Sequence, residues 1–199
     1  RIFDVSDASN LEEQIDENTK AVFFESLSNP QIAVADVEAI VSIAKSKGVL
    51  TVCDNTVASA ALFNPISWGV DVVVHSVTKW IGGHGVAVGG VIVDGGSFDW
   101  GSSNKHPTLT TPYEPFHGIN FWEEFGPSAL SMKIRAESMR DFGPAMSPHS
   151  AFLILQGIET LTLRMNQHVK NAIKLAKWLL EQSAVMWVNH PDLPENPTY

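Results

Sequence analysis

Cysteine and positive charge are scarce in this chain, and long apolar runs are absent from it. The 199 residues include one cysteine, Cys53, so no disulfide can form within the chain. A single free thiol suits a reducing compartment, and we expect a cytoplasmic protein. The chain needs no disulfide for stability, because a chain of this length buries roughly 70% of its unfolded surface.

The shortage of basic residues argues against binding to nucleic acid. Thirteen Lys and Arg stand against 22 Asp and Glu, which gives a formal net charge of -9. The sequence contains no basic run and no interleaving of basic with aromatic residues. No apolar run approaches the roughly 20 residues that a membrane-spanning helix needs. We therefore expect neither a nucleic-acid-binding nor a membrane protein.

The two ends of the sequence predict that it is an internal piece of a longer protein. It begins with Arg1 rather than with methionine, and it stops at Tyr199 without a terminating signal. We therefore expect further segments on both sides.

Apolar runs alternate with helical patterns in the first half of the chain. Helical spacing predicts a helix over residues 34–47, and a capping-box pattern at Ser9 and Glu12 predicts a short helix over 10–17. Continuous apolar runs predict buried strands over residues 21–27, 49–53, 71–75 and 88–93. This alternation predicts an α/β fold with a parallel or mixed sheet covered on both faces.

The second half of the chain has a different character. Residues 99–126 are rich in Gly, Pro, Thr and aromatics and lack periodicity, which predicts a long loop that is functional or packed against a partner. Helical patterns return over 128–141, 150–156 and 159–181. An apolar run at 185–188 predicts the first strand of a further unit. We therefore expect a large domain over 1–150, followed over 151–199 by a linking helix and the start of a smaller C-terminal α/β domain.

Three of the predicted strands lead into polar side chains that suit one cofactor. Asn29 follows the first strand, Asp54 the second, and Ser76, Thr78 and Lys79 the third. Ligands of open α/β sheets bind outside the carboxyl ends of the strands, so we expect these groups to share a crevice. The amine would bind an aldehyde, the carboxylate a protonated ring nitrogen, and the two hydroxyls, facing one way in extended chain, a phosphate. An aldehyde, a ring nitrogen and a phosphate are the three groups through which proteins bind pyridoxal phosphate (PLP).

Simpler interpretations of the same residues remain open at this point. Lys79 alone would be a solvated surface lysine, and Asp54 a helix cap or a turn residue. Ser76 and Thr78 would only cap a turn, and Asn29, which precedes a proline, would belong to an ordinary turn.

Other polar residues do not suggest a site of their own. His75 and His84 lack the spacing of metal ligands, so we expect no metal and assign both to packing and hydrogen bonding. Cys53 lies in a predicted strand and is expected to be a small buried apolar residue.

The motifs around the strand ends resemble a known family across essentially the whole chain. The segments that carry the resemblance are Glu25-Ser26-Leu27-Ser28-Asn29-Pro30, Asp54-Asn55-Thr56, residues 69–79, Ile81-Gly82-Gly83-His84-Gly85 and residues 89–94. They closely resemble the cystathionine synthase and lyase family, the trans-sulfuration PLP enzymes of cysteine and methionine metabolism. The resemblance implies a three-layer α/β/α fold of the aspartate aminotransferase type (fold type I), with residues 1–150 as part of the PLP-binding large domain.

Beyond Gly96 the chain is most similar to one branch of this family, the O-acetylhomoserine sulfhydrylases (O-acetylhomoserine aminocarboxypropyltransferases). The matching segments are residues 113–118, Phe125-Gly126-Pro127, residues 140–143, residues 152–161 and Leu163-Arg164. The resemblance implies γ-replacement on O-acetyl-L-homoserine with sulfide, giving L-homocysteine and acetate in methionine biosynthesis.

The resemblance also implies a role for each strand-end residue. Lys79 would form the Schiff base with PLP and move protons at the α and β carbons of the substrate. Asp54 would pair with the pyridinium nitrogen, Ser76 and Thr78 would bind the phosphate, and Asn29 would lie near the phenolic oxygen and the substrate carboxylate.

Several alternatives stay open within the family. Cystathionine γ-synthase or γ-lyase chemistry is one, and a truncated module without catalysis is another. Family members are roughly twice this length, and the further segments would supply a ring-stacking aromatic, more phosphate contacts and a carboxylate-binding arginine. We therefore expect a homo-oligomer, a tetramer with shared active sites, and no activity from this fragment alone.

Overall fold

The computed structural model describes residues 1–196, and a four-stranded sheet lies at their centre. Its strands are β1 (Ala21–Glu25), β2 (Leu50–Asp54), β3 (Val72–Ser76) and β4 (Gly90–Asp94), in that order across the sheet. β1, β2 and β3 run parallel, and β4 pairs antiparallel with β3. The prediction of a mixed, mostly parallel sheet is confirmed.

Helices and short turns connect the strands and form most of the second half. The α-helices are α1 (Leu11–Gln14), α2 (Val37–Ser46), α3 (Ser59–Leu62), α4 (Pro107–Thr110), α5 (Phe121–Phe125), α6 (Ala129–Lys133), α7 (Arg140–Phe142), α8 (Pro148–Glu159) and α9 (Leu161–Leu180). The 3-10 turns are Ala8–Asn10, Pro65–Trp68, Trp100–Ser102, Glu114–Phe116 and Gly126–Ser128, and a π-helical turn, Ile134–Met139, joins α6 to α7. Within residues 1–196, no helix combines the length and apolarity needed to cross a membrane.

One face of the sheet is covered by α2. Asp36 caps this helix by accepting a hydrogen bond from the Ala39 N–H at 3.1 Å. The buried residues of α2 recur at spacings of three and four, which places them on one side of the helix. They are Val37, Ile40, Val41 and Ala44, and they pack with the buried strand residues Val22, Phe24, Cys53 and Val73.

The opposite face is covered by the aromatic segment, residues 99–126, for which the sequence predicts a long loop. Trp100 is 2% exposed and Phe121 is fully buried, and both pack in one cluster with Leu50 and Val72 of the sheet. The expectation of a long loop was wrong, because this segment forms short helices and turns held by aromatic packing rather than by helical periodicity. The sheet is therefore the middle of three layers, as predicted.

Two other local predictions differ from the structure. The first helix, α1, is shorter than the predicted 10–17, and Ser9 does not cap it; Asn10 precedes it without a side-chain cap, while Asp7 caps the 3-10 turn Ala8–Asn10 by accepting a hydrogen bond from the Ser9 N–H. Residues 185–188 form no strand; Met186 is 96% exposed and Trp187 is 75% exposed. An apolar run becomes a strand only where a neighbouring strand pairs with it, and residues 1–196 place none there.

Candidate cofactor site

The carboxyl ends of the three parallel strands lie side by side. In the pairing register Glu25 faces Asp54, and Asp54 faces Val74. The residues that follow β1, β2 and β3 therefore emerge at one edge of the sheet, where ligands of α/β folds bind. The structure brings Asn29, Asp54 and Ser76 to this edge, together with the turn that holds Thr78 and Lys79.

Lys79 lies exposed in a tight turn directly after β3. Its N–H donates to the Ser76 carbonyl at 3.2 Å, and its own carbonyl accepts the Gly83 N–H at 2.7 Å. The backbone of Lys79 is thus fixed at both ends, while its side chain faces solvent. The prediction that Ser76, Thr78 and Lys79 share one extended segment was wrong, because β3 ends at Ser76 and the chain then turns back on itself.

Asp54 and Ser76 end neighbouring strands and are both half-buried. The Asp54 Oδ1 accepts the Thr56 N–H at 2.8 Å, which orients the carboxylate, and no residue between 1 and 196 donates to Oδ2. The Thr56 hydroxyl oxygen in turn accepts the Ser76 N–H at 2.8 Å. Thr56 thereby ties the two strand ends together. Thr56 was not among the predicted site residues, although a hydroxyl two residues after a strand end is a usable signal.

The two hydroxyls expected to hold a phosphate have different surroundings. The Ser76 hydroxyl makes no hydrogen bond to any described residue. The Thr78 hydroxyl accepts the Gly89 N–H at 3.0 Å and donates to the Gly89 carbonyl at 3.3 Å. A hydroxyl has one proton to donate, so Thr78 would have to turn its proton away from Gly89 to bind an anion.

Asn29 lies on the exposed loop that follows β1. Its N–H donates to the Glu25 carboxylate at 2.7 Å, and the Asn29–Pro30 peptide bond is cis. Two bonds of Ser28 close this loop: its N–H donates to the Ala33 carbonyl at 2.9 Å, and its hydroxyl accepts the Ala33 N–H at 3.0 Å. Asn29 therefore lies at this edge of the sheet, on an ordered turn.

Buried polar residues support the strand ends from behind. The Ser26 hydroxyl donates to the Asn55 side-chain oxygen at 2.7 Å, and the Asn55 amide donates to the Phe63 carbonyl at 2.9 Å. Asn55 is fully buried, so its fixed side chain fixes the backbone beside Asp54. No local sequence pattern indicates this chain of hydrogen bonds, because it joins residues 29 positions apart.

The histidines and the cysteine behave largely as packing residues. His75 is 7% exposed, and burial lowers its pKa. His84 hydrogen-bonds through Nδ1 to the Gly82 carbonyl at 2.7 Å. Cys53 is fully buried, as predicted, and burial raises the pKa of its thiol to about 12. Among residues 1–196, no three His, Cys, Asp or Glu side chains gather as a metal site would require.

The donor set at the crevice fits PLP. An exposed amine, an oriented carboxylate with one open oxygen, and an unbonded hydroxyl stand at adjacent strand ends, on Lys79, Asp54 and Ser76. These groups match the aldehyde, the ring nitrogen and the phosphate of the cofactor. The mixed, mostly parallel sheet with helices is that of a fold type I PLP-dependent enzyme.

Comparison with known proteins supports the same class of enzyme and identifies one family within it. Residues 1–199 match the family model described as Cys/Met metabolism PLP-dependent enzyme. The chain belongs to this family.

Individual relatives are also similar over nearly the whole chain. The O-acetyl-L-homoserine sulfhydrylase of Leptospira meyeri is 44% identical over 98% of the chain. The homocysteine/cysteine synthase of Kluyveromyces lactis is 46% identical, also over 98% of the chain. The chain covers 46% and 45% of these two proteins, so it spans about half the length of the curated relatives it matches.

A solved structure shows the same fold. The crystal structure described as an O-acetylhomoserine (thiol)-lyase from Campylobacter jejuni superimposes with a TM-score of 0.92 at 41% sequence identity. The match covers 98% of this chain and 48% of that protein, which carries N'-pyridoxyl-lysine-5'-monophosphate. The predicted fold class is confirmed by this likeness.

Proposed function

We propose that this chain forms the cofactor-holding part of an O-acetylhomoserine sulfhydrylase. The reaction would replace the acetyl group of O-acetyl-L-homoserine with sulfide and release L-homocysteine and acetate, as a step of methionine biosynthesis. The observation that carries the proposal is the exposed Lys79 in the turn after β3, next to the end of β2, where the Asp54 carboxylate is oriented by Thr56. Relatives with this activity in their names, at 44% identity, support the choice of substrate.

Each residue of the crevice has a role in this proposal. Lys79 attaches the cofactor covalently and moves the protons at the α and β carbons of the substrate. Asp54 accepts the hydrogen bond of the ring nitrogen and keeps that nitrogen protonated. Ser76 and Thr78 donate to the phosphate, and Asn29 contacts the phenolic oxygen and the substrate carboxylate. PLP, when bound, supplies the electron sink that stabilises negative charge on the carbons of the substrate.

The proposal extends to the assembly and its surroundings. The full-length protein would be a homotetramer with shared active sites, acting on a small amino acid and sulfide in the cytoplasm. Exposed large apolar side chains support assembly, among them Leu155 at 60% and Phe152 at 57% exposure. Residues 1–150 would belong to the large cofactor-binding domain, and 151–199 would link it to a C-terminal domain.

Borohydride reduction of the full-length protein, followed by peptide mapping, tests the role of Lys79. We expect the label on Lys79 alone and no turnover from Lys79→Ala with the fold retained. Lys170→Ala, which removes an exposed lysine on α9, is the matched control and should keep both label and turnover. A label on another lysine would refute the assignment.

Product analysis then tests the substrate. Acetyl- and succinylhomoserine, each supplied with sulfide or cysteine, distinguish the sulfhydrylase from cystathionine γ-synthase chemistry. Homocysteine from the acetyl substrate and sulfide is the expected product. Cystathionine from the succinyl substrate and cysteine as the main product would favour the alternative.

A further inference from the structure

The turn that carries Lys79 rests on the junction between α8 and α9. Val77 and Ile81, which flank Lys79, pack in one buried cluster with Ile154 of α8 and with Leu161 and Met165 of α9. The elbow between the two helices, residues 157–164, therefore lies directly beneath the turn. More than 70 residues of sequence separate the turn from this elbow, so the contact is a tertiary one.

The backbones of the turn and of α8 meet with almost no space between them. A Cβ atom placed on Gly157 would lie 2.2 Å from the Gly82 carbonyl oxygen and 2.7 Å from the Ile81 carbonyl oxygen. Real Cβ atoms do not approach backbone oxygens so closely. Glycine at 157 thus permits a contact in which α8 directly limits where the Lys79 turn can lie.

Arg164 joins the two segments with its guanidinium. Nη1 donates to the Trp80 carbonyl at 2.9 Å, and Nη2 donates to the Gly157 carbonyl at 2.8 Å and lies 3.5 Å from the Ile81 carbonyl. Nε donates to the Thr160 hydroxyl at 3.1 Å, which orients the side chain. The planar group thereby bridges the turn and the elbow.

The internal hydrogen bonds of the turn leave these carbonyls to Arg164. Within the turn, the Gly82 N–H bonds to the Val77 carbonyl and the Gly83 N–H to the Lys79 carbonyl. The carbonyls of Trp80 and Ile81, the next two residues after Lys79, point instead to the guanidinium. Hydrogen bonds from a charged donor are stronger than neutral ones, so this contact defines the position of the turn.

We infer that Arg164 is a positioning residue for Lys79. By holding the carbonyls after Lys79 against the α8–α9 elbow, it sets the direction from which the amine enters the crevice. This inference rests on the proposed function, in which Lys79 carries the cofactor. Arg164 contacts neither substrate nor cofactor, and its effect passes through the backbone of residues 79–83.

The test compares variants of the full-length holoenzyme. Arg164→Gln removes the charged guanidinium, and Arg164→Lys keeps the positive charge but not the guanidinium geometry. Lys174→Gln removes an exposed charge from the same helix and is the control. The readouts are the circular dichroism of the cofactor band per bound PLP, kcat and KM measured separately, and urea unfolding. The dichroism reports the orientation of the cofactor and does not depend on turnover.

We expect Arg164→Gln to retain borohydride-reducible PLP on Lys79 but to lose most of the dichroism signal. Its kcat should fall about 10- to 100-fold with little change in KM, since small errors in the position of a reacting group have such effects. Arg164→Lys should recover part of both, and Lys174→Gln should match the wild type.

Wild-type dichroism and kcat in Arg164→Gln, with or without a loss of stability, would overturn the inference. If Arg164→Gln fails to fold, Gly157→Ala decides the question, because its Cβ pushes the Gly82 and Ile81 carbonyls away from the elbow while the guanidinium remains. It should change the dichroism and kcat in the same direction, and wild-type values there would also overturn the inference. A wild-type protein without borohydride label on Lys79 would instead refute the proposed function.

Discussion

Single residues at the strand ends control the crevice through short polar contacts. Thr56 connects Asp54 to Ser76, and Asn55 connects Ser26 to the backbone at Phe63. Asp71 has a similar role at the opposite end of the sheet, where it accepts the Thr51 N–H at 3.0 Å and the Thr51 hydroxyl at 2.7 Å. Such buried hydrogen bonds are costly to break, because the remaining partner is left without water.

His75 should make the stability of the protein depend on pH. Burial holds its pKa below the usual 6.5, so the folded protein resists a proton that the unfolded chain accepts. Stability is then fully present above about pH 6.5 and declines as the pH falls, by at most about 1.4 kcal/mol per pH unit for one proton. We expect urea unfolding of His75→Asn between about pH 7.5 and pH 5.5 to show a smaller decline than the wild type.

The control for this prediction is His149→Asn, which changes an exposed histidine. It should keep the wild-type slope. Burial also lowers the pKa of His106, so part of the dependence of unfolding free energy on pH should remain in every variant. Identical slopes in His75→Asn and the wild type would contradict the prediction.

At the scale of elements, short helices without strong periodicity form a complete layer over the sheet. The Lys133 ammonium of α6 lies 3.0 Å from the centre of the Tyr113 ring and 3.0 Å from the Glu137 carboxylate. The Tyr113 hydroxyl donates to the same carboxylate. Hydrogen bonds from Tyr113 and Lys133 hold the pKa of Glu137 below its usual value. This group fastens the π-helical turn to the aromatic segment.

Phe121 should be the most important single anchor of this layer. It is fully buried against other rings, including Phe116 at 5.9 Å between ring centres. Phe121→Ala should lower the free energy of unfolding by about 3–5 kcal/mol, because it leaves a cavity. Phe142→Ala, which truncates a ring that is 85% exposed, should change it by less than about 0.5 kcal/mol, both measured by urea unfolding. Equal losses of unfolding free energy in the two variants would contradict the prediction that Phe121 anchors this layer.

The whole molecule presents apolar surface on both outer strands of its sheet. On β4, Val91, Ile92 and Val93 are 40%, 52% and 41% exposed, and Phe23 of β1 is 60% exposed. Strand edges of this kind pair readily with further chain. Together with the match to about half of each curated relative, this supports a larger functional unit.

The chain of residues 1–199 alone should therefore differ from the full-length protein in oligomeric state and in activity. We expect the full-length protein to scatter light as a tetramer and to form homocysteine from O-acetylhomoserine and sulfide. The chain of residues 1–199, confirmed by mass, should show no measurable turnover, because positioning of the substrate accounts for roughly 7–11 kcal/mol of catalysis. Full activity in the short chain, or an active full-length monomer, would contradict this.

The sequence by itself determined the four strands of the sheet and α2, and it supplied the five residues that we propose for the site. Apolar runs and helical spacing are local properties, and the residues after each strand stand in short motifs, so both were accessible without a structure. The π-helical turn, the antiparallel β4 and the missing strand at 185–188 were not, because each depends on which segments become neighbours.

Only the tertiary structure decided how the site is supported. Arg164 meets the Trp80 carbonyl across 84 positions of sequence, and Thr56 meets Ser76 across 20. The aromatic segment looked like a loop because its order comes from packing on Leu50 and Val72 rather than from its own periodicity. Local sequence patterns indicate which face of a helix or strand is buried. The path of the chain decides which other segments that face packs against.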